Sequence, residues 1–257
     1  MNTCRPRVIP VLLLKNRGLV KTRKFKDPVY VGNPTNAIKV FNEKYVQEIV
    51  LLDIGASKNQ KGPDYPTLES IGSEAFFPLA YGGGITSVDA AQRILRIGFE
   101  KVVLNNSALS NPALIEDISS QTGSQSVVVC VNVTKTITGA YQVYNHLTGG
   151  IIKQDIIEYI KKIERLGAGE IIIQAVDRDG TMTGYDTRLI QRVSSAADVP
   201  VIALGGAKDI SDFVLAVKAG ASAVAAGSMF VFHGLHRAVL ISYPSKDELK
   251  REFYQKM

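Results

Sequence analysis

Two glycine-rich segments carry the first chemical clue. Gly83 and Gly84 stand in YGGGI, and Gly205 and Gly206 in ALGGA. Each pair follows an apolar run and precedes a helical pattern. Glycine lets the backbone approach an anion, and unpaired N–H groups at a helix start bind phosphate. Each pair has a companion one strand later: Asn105 and Asn106 in LNNS, Gly227 and Ser228 in AAGS. Gly83 to Gly205 is 122 positions, and so is Gly98 to Gly220; the same offset carries Asn106 onto Ser228. The chain therefore reads as a duplicated half, with a phosphate cradle in each copy. Two opposed cradles suit a ligand with a phosphate at each end. Gly206→Val is expected to remove anion binding and leave the fold intact. The third feature is the run VVVCVNV at 127–133, which brings Asn132 to the end of a strand. In a barrel enzyme a catalytic group sits there. An amide hydrogen bonds but exchanges no proton near neutral pH.

The elements that must position these residues follow from hydrophobic patterning. Apolar runs at 7–14, 48–54, 76–81, 101–105, 127–133, 170–176, 200–204 and 223–227 read as strands. Amphipathic stretches lie between them, several closing on a glycine suited to a helix C-terminus (Gly98, Gly167, Gly220). Nearly continuous apolar strands, each followed by a helix, predict a parallel sheet with its outer face covered. Eight such units predict a (β/α)₈ barrel, an α/β fold made here from a duplicated half-barrel. No linker or low-complexity segment interrupts the chain, so a single domain over 1–257 is expected.

Composition narrows the function. With 46% hydrophobic residues the chain can fill a large core. Its two cysteines, Cys4 and Cys130, are far apart and in no metal-binding spacing. Neither a disulfide framework nor a metal site is called for, and a reducing, cytoplasmic location is expected. No signal peptide or membrane-length apolar run is visible. The net charge is +6, with Lys15, Arg17, Lys21, Arg23, Lys24 and Lys26 gathered in one stretch without acids. Such a stretch is either a solvated loop or an anion-attracting one. Nucleic acid is not an expected partner, because no aromatic platform or reading helix accompanies the charge.

The segments LLDIGAS (51–57), YGGGI (81–85), EKVVLNN (100–106), GAGEIII (167–173), VDRDGTMTGYD (176–186) and PVIALGGA (200–207) closely resemble the cyclase subunit of imidazole glycerol phosphate synthase. The similarity runs from about Arg7 to about Phe232, and DRDGT-x-x-GYD is its most specific part. The resemblance implies a glutaminase partner whose ammonia travels up the barrel to a phosphorylated substrate, with no cofactor. It implies an entrance gate of charged residues, matched by Arg7, Glu48, Lys101 and Glu170. Read alone, each is a solvated charge at a strand start; together they suggest an ion-paired ring and the partner interface. Lys21, Asp53 and Asp179 also match, although Asp53, Asp177 and Asp179 are equally suited to ordering turns. The family's two aspartates, general acid and base at the ends of strands 1 and 5, are matched by Leu13 and Asn132. The catalytic candidates left are thus Lys21, Asp53, Asn132 and Asp179, with His146 a weak addition. Kept entrance and lost carboxylates resemble a branch of the family from bacterial surface-polysaccharide pathways. There a barrel, a glutaminase and a third, sugar-amidinating protein turn an acetamido sugar into an acetamidino sugar. The alternatives are the histidine-pathway cyclase itself and a non-catalytic scaffold for a phosphorylated ligand.

Overall fold

A computed structural model describes residues 5–234 and 236–257, so Cys4 lies outside the described residues. Eight parallel strands close into a barrel with helices on its outer face. They are β1 (Arg7–Lys15), β2 (Ile49–Asp53), β3 (Leu79–Gly82), β4 (Lys101–Leu104), β5 (Val127–Lys135), β6 (Glu170–Ala175), β7 (Val201–Leu204) and β8 (Ala223–Ala226). The order runs β6-β7-β8-β1-β2-β3-β4-β5, and β5 pairs back onto β6. This is the (β/α)₈ barrel expected from the sequence.

Successive side chains along a strand point to opposite faces. Ile9, Val11 and Leu13 of β1 join Val50, Ala80, Val103, Cys130, Ile172, Ile202 and Ala225 in the barrel interior. Val8, Leu12 and Leu14 join the larger cluster beneath the helices. Both faces are buried, which is why the strands read as apolar throughout. Cys130 lies within the interior, and burial pushes its thiol up to about 12. Because the thiolate is the nucleophile, Cys130 should resist iodoacetamide in the folded protein at pH about 8. Peptide mass mapping should show it alkylated only after denaturation; modification of native protein would place it nearer solvent.

The helices stop and start where their sequences say. The helix Val88–Ile97 begins with Ser87 accepting from the Ala90 N–H and ends at Gly98, whose φ is 115°. Asp155 caps the helix Ile156–Arg165, which buries Ile156, Tyr159, Ile160 and Ile163 along one stripe. Helix Tyr65–Gly72 has no counterpart in the sequence-based expectations. It buries only Leu68 and Ile71, and its first-turn proline reads as a breaker although that position tolerates one. The third strand also begins later than expected. Pro78 brings no N–H to the ladder, and Phe76 is 87% exposed.

The duplication is exact in the strands that carry the cradles: β3 and β7 are offset by 122 positions, as are β4 and β8. Each half also carries a feature that the sequence reading treats as loop. The end of β1 pairs with Gly18–Arg23, which pairs with Lys26–Gly32, forming a first hairpin. The end of β5 pairs with Tyr141–Asn145, which pairs with Gly150–Ile152, forming a second. Both turns of the first hairpin use two left-handed residues: Asn16 and Arg17, then Lys24 and Phe25, with φ between 50° and 64°. Two-residue turns of this hand match the strand twist. For Phe25 the conformation is costly, about 1 to 3 kcal/mol, and persists only if contacts elsewhere hold it.

Candidate active site

At the N-terminal end of the barrel the four matched charges converge. Arg7 donates to Glu48 and, at 2.5 Å, to Glu170. Lys101 Nζ reaches Glu48 Oε1 at 3.1 Å and Glu170 Oε2 at 2.8 Å. Each cation thus touches both acids, and the four close a ring across the base of the barrel. Burial alone would lower the Arg7 guanidinium, yet Glu48 and Glu170 hold it above its usual range. Above the ring the interior is apolar up to Cys130, Leu13, Asn132 and Gln174.

At the C-terminal end a cavity of about 420 Å³ opens. Leu13, Asp53, Asn105, Asn106, Asn132 and His146 are among its walls. Leu13 is 6% exposed and sits in register with Leu52 of β2 and Val20 of the first hairpin, an apolar setting. Asn132 is buried, and its amide donates to Asn105 Oδ1 at 3.4 Å. Asp53 faces the same cavity. Burial pushes its carboxyl up, and the N–H groups of Gly55 and Ala56 (2.8 and 3.0 Å) pull it back. Its turn-forming role is therefore real, and it remains an acidic side chain on the cavity wall. Gln174, missed by the sequence reading, is buried with its carbonyl 3.8 Å from Cys130 Sγ. The signal was available: in EIIIQA it shares a face with Glu170 and Ile172.

The two cradles have equivalent backbones but different fillings. Gly83 and Gly205 (φ 134° and 103°) back against the carbonyls of Asp53 and Ala175, where a Cβ would collide. Gly83, Gly84, Asn105 and Asn106 open into the large cavity. Around Gly205, Gly206, Gly227 and Ser228 only about 10 Å³ is free. The Lys21 side chain fills this second cradle, its ammonium only 2.5 Å from where a Cβ on Gly227 would be. Ser228 Oγ is buried there with no hydrogen-bond partner. The expectation that Gly206→Val leaves the fold intact is corrected by the geometry. Gly206 has φ 103°, and a Cβ would run into the Gly184 carbonyl.

Lys21 and Asp179 are brought together away from the large cavity, 3.9 Å apart and both buried. Burial pushes the Lys21 ammonium down, and Asp179 partly offsets this. Asp179 also accepts from Thr22 Oγ1 at 3.1 Å, and its backbone carbonyl accepts from Lys24 N at 2.9 Å. Asp177, two residues earlier, accepts from Thr134 Oγ1 and Lys135 N of the second hairpin. The DRDG segment thus anchors both hairpins over the cavity, a tertiary use for acids that could have been simple turn formers. Charge-assisted bonds of this kind are worth about 1.5 to 3 kcal/mol. Asp179→Ala should therefore speed trypsin cleavage after Arg23 and Lys24 by at least about tenfold in limited digestion. An unchanged rate would mean that other contacts hold the hairpin.

Residues 7–236 match the family described as histidine biosynthesis protein. The chain belongs to that family. Within it, the chain is 48% identical over 246 residues to the Pseudomonas aeruginosa protein named "Putative imidazole glycerol phosphate synthase subunit hisF2", covering 95% of this chain and 98% of that one. It is 46% identical to the similarly named subunit hisF3 of Vibrio vulnificus, covering 96% of both chains. It is 37% identical over 230 residues to imidazole glycerol phosphate synthase subunit HisF of Alkaliphilus metalliredigens, covering 88% of this chain and 90% of that one. The resemblance to the cyclase subunit read from the sequence is thereby upheld at family level. Among the described residues no helix is long and apolar enough to cross a membrane, and no three His, Cys, Asp or Glu side chains are grouped to share a metal ion.

Proposed function

We propose that this chain is the ammonia-receiving barrel of a glutamine-dependent complex. Its own cyclisation chemistry is lost, and it serves the amidination of an acetamido sugar in surface-polysaccharide synthesis. One observation carries the reading: the cavity presents Leu13 and Asn132 at the ends of β1 and β5, neither of which can act as acid or base. Arg7, Glu48, Lys101 and Glu170 would admit ammonia from a glutaminase docked on the base of the barrel. The apolar interior would carry it upward unprotonated, since a charged ammonium is strongly disfavoured there. Gly83, Gly84, Asn105 and Asn106 would hold one anionic end of a phosphorylated ligand. Gly205, Gly206, Gly227 and Ser228 would receive another if Lys21 moves aside. A third, sugar-amidinating protein would complete the chemistry.

A second reading keeps the histidine-pathway cyclase, and Asp53 favours it. Asp53 lines the cavity with a carboxyl raised by burial, as a general acid requires. Lys21 and Asp179 would contribute only after the first hairpin lifts. Complementation of a strain lacking the histidine cyclase separates the two. Growth supports the second reading; its absence, with glutaminase captured by the folded chain, supports the first. A chain that captures no glutaminase would instead be a scaffold for a phosphorylated ligand.

A further inference from the structure

The second hairpin delivers an imidazole to the large cavity, and the surrounding hydrogen bonds determine its tautomer. Asn105 Nδ2 donates to the Cys130 carbonyl at 2.5 Å. A carbonyl only accepts, so the orientation of this amide is settled. Asn105 Oδ1 must then face His146 Nδ1, 3.0 Å away, and Nδ1 must carry the proton. Nε2 of the neutral ring is therefore unprotonated. Asn106 Nδ2 stands 3.2 Å from Nδ1 and 3.1 Å from Nε2, so it lies across the ring and not in line with either lone pair. Asn106 Oδ1 is buried and has no partner; turning the amide over would leave Nδ2 unpaired instead. On the far side, the strained Phe25 packs edge-on against the imidazole, ring centres 6.4 Å apart. Three cavity walls therefore position a ring whose Nε2 has no assigned use.

We propose that His146 is a ligand-binding residue of this cavity: Nε2, protonated only when the site is filled, donates to a divalent oxyanion held between the Gly83–Gly84 turn and Asn106. Anion binding at this end then takes up a proton. The inference rests on reading the cavity as the site of a phosphorylated ligand, and adds the residue that would make its binding pH-dependent. Burial lowers the His146 pKa in the empty site, so the ring is neutral near pH 7 and must be charged by its ligand. The groups packed on the ring, Asn105, Asn106 and Phe25, do not titrate. Lys15 and Lys58 line the cavity and favour an anion, whereas Asp53 opposes one. Asp53 is the rival explanation for any pH dependence, because its carboxyl is raised too.

Sulfate is the probe, since its charge is constant over the range where histidine titrates. Calorimetry on the full chain should show sulfate binding about tenfold tighter at pH about 5.5 than at pH about 8, the equivalent of one unit of pKa coupling. His146→Gln should flatten that dependence. In the wild type, the His146 ring signals should move toward the doubly protonated form as sulfate is added near pH 7. The His146→Gln variant identifies those signals among the three histidines of the chain. Sulfate binding that leaves the ring signals unmoved, or keeps its full pH dependence in His146→Gln, overturns the role of His146 and leaves the phosphorylated-ligand reading standing. Absence of sulfate binding at every pH overturns both.

Discussion

A strain lacking its histidine cyclase is expected not to grow without histidine when this chain, supplied with a glutaminase, is the replacement. General acid and general base each contribute on the order of 10² to 10⁴ in rate. Leu13 offers no proton, and the Asn132 amide is committed to Asn105. Loss of both functions should leave turnover of the bisphosphate nucleotide with ammonia orders of magnitude below that of a cyclase. The double variant Leu13→Asp with Asn132→Asp tests the cause. If the cavity still holds the nucleotide, cyclisation should return to a measurable level. Leu13→Asp alone should destabilise the fold, because it sets a carboxylate beside Leu52 and Val20. Robust growth with the unaltered chain would end the reading, and would move attention to Asp53.

Removing Glu48 should produce the largest stability loss of any charge substitution in the barrel. Glu48 is 3% exposed and accepts from both Arg7 and Lys101. Glu48→Ala leaves two cations sharing Glu170 at the base of an apolar interior. Breaking a buried ion pair by deleting one partner costs about 3 to 5 kcal/mol. Arg7 is partly exposed, so the lower figure applies, and the melting temperature should fall by about 6 to 12 °C. In a complex with glutaminase, the same variant should raise the ammonia escaping to solvent per glutamate formed. A melting shift within about 2 °C would show that the ring is solvated and weak. Normal stability loss with unchanged ammonia escape would make the ring a structural clamp and not an entrance.

Much of this was legible in the residues. Near-continuous apolar strands such as VVVCVNV and EIIIQA implied a sheet buried on both faces, because a strand with a wet face must alternate. The 122-residue offset between the glycine pairs implied the duplicated half-barrel, because β3, β4, β7 and β8 keep that spacing without insertion. Family membership followed from the same segments. Leu13 and Asn132 stand where the resemblance implies two acids, and the functional proposal turns on that reading.

The rest depended on neighbours far apart in the chain. Arg7, Glu48, Lys101 and Glu170 are separated by up to 163 positions, and only barrel closure makes their side chains touch. The first hairpin escaped notice because its turns use Asn16, Arg17, Lys24 and Phe25, without a glycine at the left-handed positions to announce them; the second has Gly139 and Gly149 at such positions. Asp177 and Asp179 fit a local turn from sequence, yet their side chains reach the hairpins, whose place above the barrel is set by pairing with β1 and β5. The cradles look alike in sequence, but one opens to a cavity and the other holds Lys21, because the first hairpin folds over β8. His146 is only a weak candidate from sequence, a loop histidine with no motif around it. Its tautomer is decided by Asn105, and the orientation of the Asn105 amide by the Cys130 carbonyl, so its chemistry exists only once three strands are side by side.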